Sequence, residues 1–160
     1  MGEDKLNRLP PDVKKQFLKL ALKLSEKKTK SKVHDDFLSF VKHVWPEFIE
    51  GRHHKEISEK FNQIAKGKIK RLIINMPPRH TKSEFASFLL PSWMVGRRPN
   101  LKIIQTTHTT ELAIRFGRKA KTLMDSPEYK QVFSTRLRED SQAAGKWETE
   151  QGGEYYAAGV

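Results

Sequence analysis

Cysteine is absent from the 160 residues, which excludes disulfide scaffolds, thiol redox chemistry and any cysteine-ligated metal. Long apolar runs are absent too. None approaches the ~18 residues of a membrane span, and Met1-Gly-Glu-Asp-Lys-Leu6 lacks the apolar centre of a secretory signal. Gly2 does not open a myristoylation motif, because residue six is leucine rather than serine or threonine. Acidic residues are in the minority, 19 Asp and Glu against 31 Lys and Arg, so the chain carries +12. That excess is spread along the sequence. It suits a polyanionic partner, although lysine used only for solubility gives the same number. A length of 160 residues is about one domain and enough for a real core.

Within that frame one stretch stands out, Arg71-Leu-Ile-Ile-Asn-Met-Pro-Pro-Arg-His-Thr-Lys-Ser-Glu-Phe-Ala-Ser87. Its pattern predicts a strand over Arg71 to Ile74 and a helix over Lys82 to Leu90, joined by a charged loop. A helix start presents unpaired N–H groups and a partial positive charge, so an anion there is held by backbone as well as side chains. Lys82 then supplies a point charge for phosphate oxygens, and the Ser83 hydroxyl stands where a P-loop ligates Mg²⁺. The P-loop pattern asks for glycine at positions 76 and 81; this chain has Met76 and Thr81. The plainer alternative is a Pro-Pro turn with Arg79, His80 and Lys82 merely solvated.

Around this stretch the chain reads as follows. An amphipathic helix over 11–24 buries Val13, Phe17, Leu20, Ala21 and Leu24, and 25–32 is a basic linker. A second helix begins at Asp35 and Asp36, buries Phe37, Phe40, Val41 and Val44, and stops before Pro46, with Trp45 and Phe48 as anchors. A third, His53 to Ala65, carries Ile57, Phe61 and Ile64 inward, pairs Glu56 with Lys60 and ends at Gly67. Pro91 breaks or kinks the loop helix, and Gly96-Arg-Arg-Pro-Asn100 turns into a strand over Leu101 to Thr107. Thr109 caps the next helix, whose outer face carries Arg115, Arg118, Lys119 and Lys121. Beyond Ser126 the text is turn-rich, closing in a hairpin about Gln151-Gly-Gly153. The adjacent His53 and His54 lack further ligands at zinc spacing.

Asn75-Met-Pro-Pro-Arg-His-Thr-Lys-Ser83, with Lys66 to Ile74 before it and Pro91 to Pro99 after it, resembles the ATPase segment of the large terminase subunit of tailed bacteriophages. That family carries a deviant Walker A loop of the form P-P-R-H-G-K-S. The resemblance continues through Leu101 to His108, Glu111 to Arg118, Ser126 to Tyr129 and Trp147 to Tyr156, covering roughly residues 50 to 160; Thr81 departs from the family's glycine.

The resemblance implies an α/β, P-loop NTPase-like parallel sheet, incomplete, with an α-helical amino-terminal extension. Residues 1–50 would form that extension and linker, and 51–160 the first part of the ATPase domain. Lys82 and Arg79 would be catalytic. Pro78, Arg79, His80, Thr81, Lys82, Ser83 and His54 would bind ATP, His54 near the adenine, and Ser83 would ligate Mg²⁺. The implied activity is ATP-driven translocation of double-stranded DNA into a prohead, in the host cytoplasm at the portal. Implied partners are the portal protein, the small terminase subunit and further copies in a ring.

A P-loop ATPase also needs an apolar strand ending in Asp or Asp-Glu. None is legible here, so the expectation is a portion truncated before that strand, without the family's nuclease domain, that hydrolyses ATP slowly or not at all. A non-catalytic DNA-binding or assembly module stays open, as does a small nucleotide kinase, for which no acceptor site or lid is recognisable.

Overall fold

The computed structural model describes residues 10–160, so the readings of Met1 to Leu6, Gly2 included, lie outside the described residues. Helix α1 (Pro11–Asp35) opens with proline at its first position and runs unbroken for 25 residues. The linker foreseen at 25–32 is therefore helix. No glycine or proline stands between Pro11 and Pro46, and lysine, glutamate and leucine are good helix formers, so nothing local ends it. Its expected inner face is not buried: Val13, Phe17, Leu20 and Leu24 are exposed, and Val33 is its buried residue.

At Asp36 the backbone leaves helical geometry, and the Asp36 carboxylate accepts from the Ser39 N–H (2.8 Å) to cap α2 (Phe37–Val44). Burial alone would raise the Asp36 pKa, but hydrogen bonds from Ser39 and the Asn62 amide outweigh it and hold the carboxyl below its usual range. Helix α3 (Arg52–Ala65) ends where Gly67 takes φ +73°. Its i,i+4 ion pair is Arg52 with Glu56 (3.4 Å), not Glu56 with Lys60.

Residues 71–77 form no strand among the described residues, which corrects the strand expected over Arg71 to Ile74. The period-2 pattern is still visible in burial. Leu72 and Ile74 pack against the core while Ile73 is 86% exposed, so the alternation is satisfied without a ladder neighbour.

The loop helix runs over 82–97 and passes through Pro91. It does so by widening into a π segment, Glu84–Leu89, before α4 (Leu90–Arg97). The Leu90 N–H reaches back five residues to Phe85 O, and the wider turn spares the proline ring the carbonyl it would otherwise strike. Gly96 lies inside α4 and not in the turn; a Cβ there would meet Phe133 at 2.6 Å and the Tyr129 hydroxyl at 2.7 Å.

Strand β1 (Lys102–Thr107) leads to α5 (Thr110–Asp125), capped by the Thr109 side chain as its sequence indicates. Helix α6 (Pro127–Val132), capped by Ser126, and strand β2 (Leu137–Ala143) occupy text that reads as turns. Strands β3 (Lys146–Thr149) and β4 (Glu154–Gly159) form the expected hairpin, with Trp147 opposite Tyr155 and Gly152 at φ +83°. The two facing rings stack 4.7 Å apart. The four-stranded sheet has the order β1-β4-β3-β2 and is mixed, not parallel: β4 pairs parallel with β1 and antiparallel with β3. The chain is thus α/β with a helical amino-terminal region.

One apolar cluster joins these elements on both sides of residue 50. Phe37, fully buried, meets Phe61, Phe85 and Trp93 edge-on at 5.1, 5.4 and 5.4 Å. The Trp93 indole N–H donates to the carbonyls of Val33 (3.3 Å) and His34 (3.1 Å), tying the end of α1 to α4. Among the described residues, no helix is long and apolar enough to cross a membrane. Phe37→Ala is expected to lower the unfolding free energy by about 3–5 kcal/mol, read from urea denaturation; a loss below 1 kcal/mol would mean that Phe37 is not the hub its contacts indicate.

Candidate functional site

The loop at 76–83 is built by two residues with unusual backbone. Arg79 (φ +63°) and Thr81 (φ +59°) lie in the left-handed region, which a β-branched side chain seldom enters. Such residues cost on the order of 1–3 kcal/mol each and persist only where neighbours over-determine them. The neighbours here are specific. Gly51 N–H donates to His54 Nδ1 (2.8 Å), which places the imidazole proton on Nε2. Nε2–H then donates to Thr81 Oγ1 (2.6 Å), and the Thr81 hydroxyl donates to the His80 carbonyl (2.6 Å). His80 Nδ1–H closes the loop on the Pro78 carbonyl (2.8 Å).

His54 is 5% exposed, and its ring packs against those of His53 (3.8 Å), Phe48 (4.8 Å) and Phe85 (5.0 Å). Burial first and then the neighbouring His53 lower its pKa, Glu50 opposes them, and His80 adds a smaller lowering. Glu50 is itself held below the usual carboxylate range by hydrogen bonds from Lys42 and Lys55.

Phe85 N–H donates to Thr81 O (2.9 Å) at the start of the loop helix, so the amides of the preceding turn lie at the loop. Lys82 Nζ lies 3.4 Å from the Met76 carbonyl and thus spans the loop. Lys82 and Ser83 are both exposed. Residues 76–79 and 81–84 bound an open hollow of 540 Å³. Beside it, His53, Ile57 and Lys60 of α3 and residues 72–76 bound a second hollow of 380 Å³. A larger one, 630 Å³, lies elsewhere, between α5, α6 and β2, and touches none of these groups.

The structure therefore brings Pro78, Arg79, Thr81, Lys82 and Ser83 together around one hollow, with His54 behind it; His80 does not line it. Both nitrogens of His54 are engaged, and it is His53 that lines the neighbouring hollow. Among the described residues no carboxylate pairs with Arg79 or Lys82, so both cations are available to an anion.

Glu84 is the nearest carboxylate in sequence, and Lys119 of α5 takes both its oxygens (2.7 and 2.9 Å). Lys119 also lies 5.5 Å from the Phe88 ring. Sequence reasoning placed Lys119 on a charged outer face; its lysine-to-glutamate spacing of 35 residues carries no local signal. Among the described residues no cluster of three or more His, Asp or Glu could cage a metal. Mg²⁺ in a phosphate site does not need one, since it keeps waters and phosphate oxygens beside one or two protein ligands, and the exposed Ser83 hydroxyl fits that part.

No family model, curated protein or solved structure matches the chain.

The lowered His54 pKa fixes a sign. A neutral buried imidazole contributes stability that is fully present above its ordinary value of 6.5 and is lost as pH falls through the lowered folded value. Unfolding free energy is accordingly expected to decline below pH 6.5 more steeply in the wild type than in His54→Asn, which does not titrate there. Parallel pH profiles for the two proteins would remove His54 as the source.

Proposed function

We propose that this chain is a portion of an ATP-driven motor that packages double-stranded DNA, the large terminase subunit, and that it binds ATP phosphates through the loop at 76–83. The observation that carries the reading is the left-handed turn at Arg79 and Thr81, which sets Lys82 and Ser83 at a helix start facing an open hollow. Lys82 would neutralise phosphate charge there. Arg79, inside the loop, would stabilise the transferring phosphoryl group, and Ser83 would ligate Mg²⁺. Bound Mg²⁺ supplies charge neutralisation across the phosphates. The net charge of +12 supports a grip on DNA phosphates without base reading. Portal protein, small subunit, ring assembly and a place at the prohead in the host cytoplasm belong to this proposal through the sequence resemblance alone.

Hydrolysis requires an acidic strand in addition. Two features favour such a strand as a neighbour. The outer edge of β1 is unpaired among the described residues, and Ile104 of β1 and Ile73 remain 75% and 86% exposed. A second reading, a DNA-binding or assembly module in which nucleotide has no part, is favoured by α1. Its first four turns expose leucines and lysines together.

Titration with a fluorescent ATP analogue and Mg²⁺ separates the two. Lys82→Ala is expected to weaken binding by about tenfold or more, the weight of a charge-assisted hydrogen bond, with no motor-like phosphate release from either protein. Equal affinity of the two proteins, with DNA binding unchanged, would favour the module. For DNA, log affinity is expected to fall linearly with log salt in both readings; affinity independent of salt would sink both.

A further inference from the structure

We propose that His54 is a positioning residue for the phosphate loop, and that its hydrogen bond to Thr81 replaces the glycine that such a loop would otherwise use at position 81. The inference rests on the phosphate-binding reading of the loop, but its geometry stands independently. A glycine takes φ near +60° without help, whereas Thr81 takes +59° against the repulsion of its branched side chain. What holds Thr81 there is its own hydroxyl, which accepts from His54 Nε2–H and donates to the His80 carbonyl. The hydroxyl thus uses one acceptor site and its one proton, and turning the residue to φ < 0 would break both bonds. His54 is the fixed end of the latch, because Gly51 N–H and the Phe48 and Phe85 rings leave it no other pose.

The latch has a direction. It requires Nδ1 as acceptor and Nε2 as donor, so a proton added to Nδ1 opposes the Gly51 N–H and pushes the ring from its seat. The titratable groups facing the ring are His53 on its own helix, His80 on the loop and Glu50 on the segment before α3. The other packed neighbours, Phe48, Phe85 and Thr81, do not titrate.

Five variants test the latch: Thr81→Val, which keeps the shape and removes the hydroxyl; Thr81→Ser, which keeps the hydroxyl; Thr81→Gly; His54→Ala; and Thr81→Gly combined with His54→Ala. Two readouts are taken on each, affinity for the Mg²⁺ complex of a fluorescent ATP analogue and hydrogen exchange of the Phe85 amide, which bonds Thr81 O. Thr81→Val is expected to lose about tenfold in affinity and to speed exchange by a similar factor, the weight of one buried hydrogen bond. Thr81→Ser should behave as wild type. Thr81→Gly should bind at least as well as wild type and should be indifferent to His54→Ala, whereas His54→Ala alone weakens binding.

Wild-type exchange and binding in Thr81→Val, or equal harm from His54→Ala with threonine and with glycine at 81, overturns the proposal. Should no protein bind nucleotide while exchange still separates Val from Ser, the latch stands and the ATP reading falls. Melting curves recorded on each variant separate loss of the latch from loss of the fold.

Discussion

The contact on which the site depends is that of Phe85 with its neighbours. Its ring is 1% exposed and meets Phe37 (5.4 Å), Phe48 (5.5 Å) and His54 (5.0 Å), so it joins the aromatic core to the imidazole that holds the loop. Its amide meanwhile bonds Thr81 O, and its carbonyl accepts from Leu90 across the wide π turn. One residue thereby fixes the helix start, the loop and the register of the helix behind it. The π segment follows from the same requirement. Phe85 and Leu89 must both face the core while Pro91 lies on the next turn, and the extra residue per turn lets all three conditions hold together.

Charge is organised more locally than the net excess suggests. Glu50 collects Lys42 and Lys55, Glu84 collects Lys119, and Arg138 joins Asp140 and Glu148 in an exposed cluster. These pairs are solvent-facing and contribute little stability individually. Their effect is to remove carboxylates from competition. With Glu84 bonded to Lys119, no carboxylate among the described residues pairs with the Arg79 guanidinium or the Lys82 ammonium.

The local elements with strong punctuation were legible. Asp36 before Phe37, Thr109 before the α5 pattern, Gly67 after Ala65 and the Gly-Gly hairpin all stand where chain chemistry puts them. The errors share a cause: each depended on partners far along the chain. Pro91 looked like a helix end because the compensating π turn is demanded by core packing, not by sequence spacing. Gly96 looked like a turn because Phe133 and Tyr129, which press on it, come more than thirty residues later. The 11–24 helix showed a clean apolar face, yet periodicity states only that a face exists, not that the chain itself covers it. Arg71 to Ile74 kept the alternation of a strand without the ladder that defines one. For the site, the order of the loop residues is legible in the chain. The bond from His54 to Thr81 is not, since an imidazole 27 residues upstream gives no sign of it in sequence.

That bond alters how a loop of this shape is held. A loop shaped by glycine owes its conformation to the absence of a side chain, and it keeps that conformation whatever the surrounding core does. Here the conformation is supplied by a side chain whose hydroxyl answers to an imidazole, and the imidazole answers to Gly51 and to the Phe48–Phe85 pair. A shift of α3 along its axis moves Nε2 directly, and Thr81 with it. The two hollows meet at Met76, and the start of α3 touches both neighbourhoods: His53 bounds one hollow, and His54 bonds Thr81, which bounds the other.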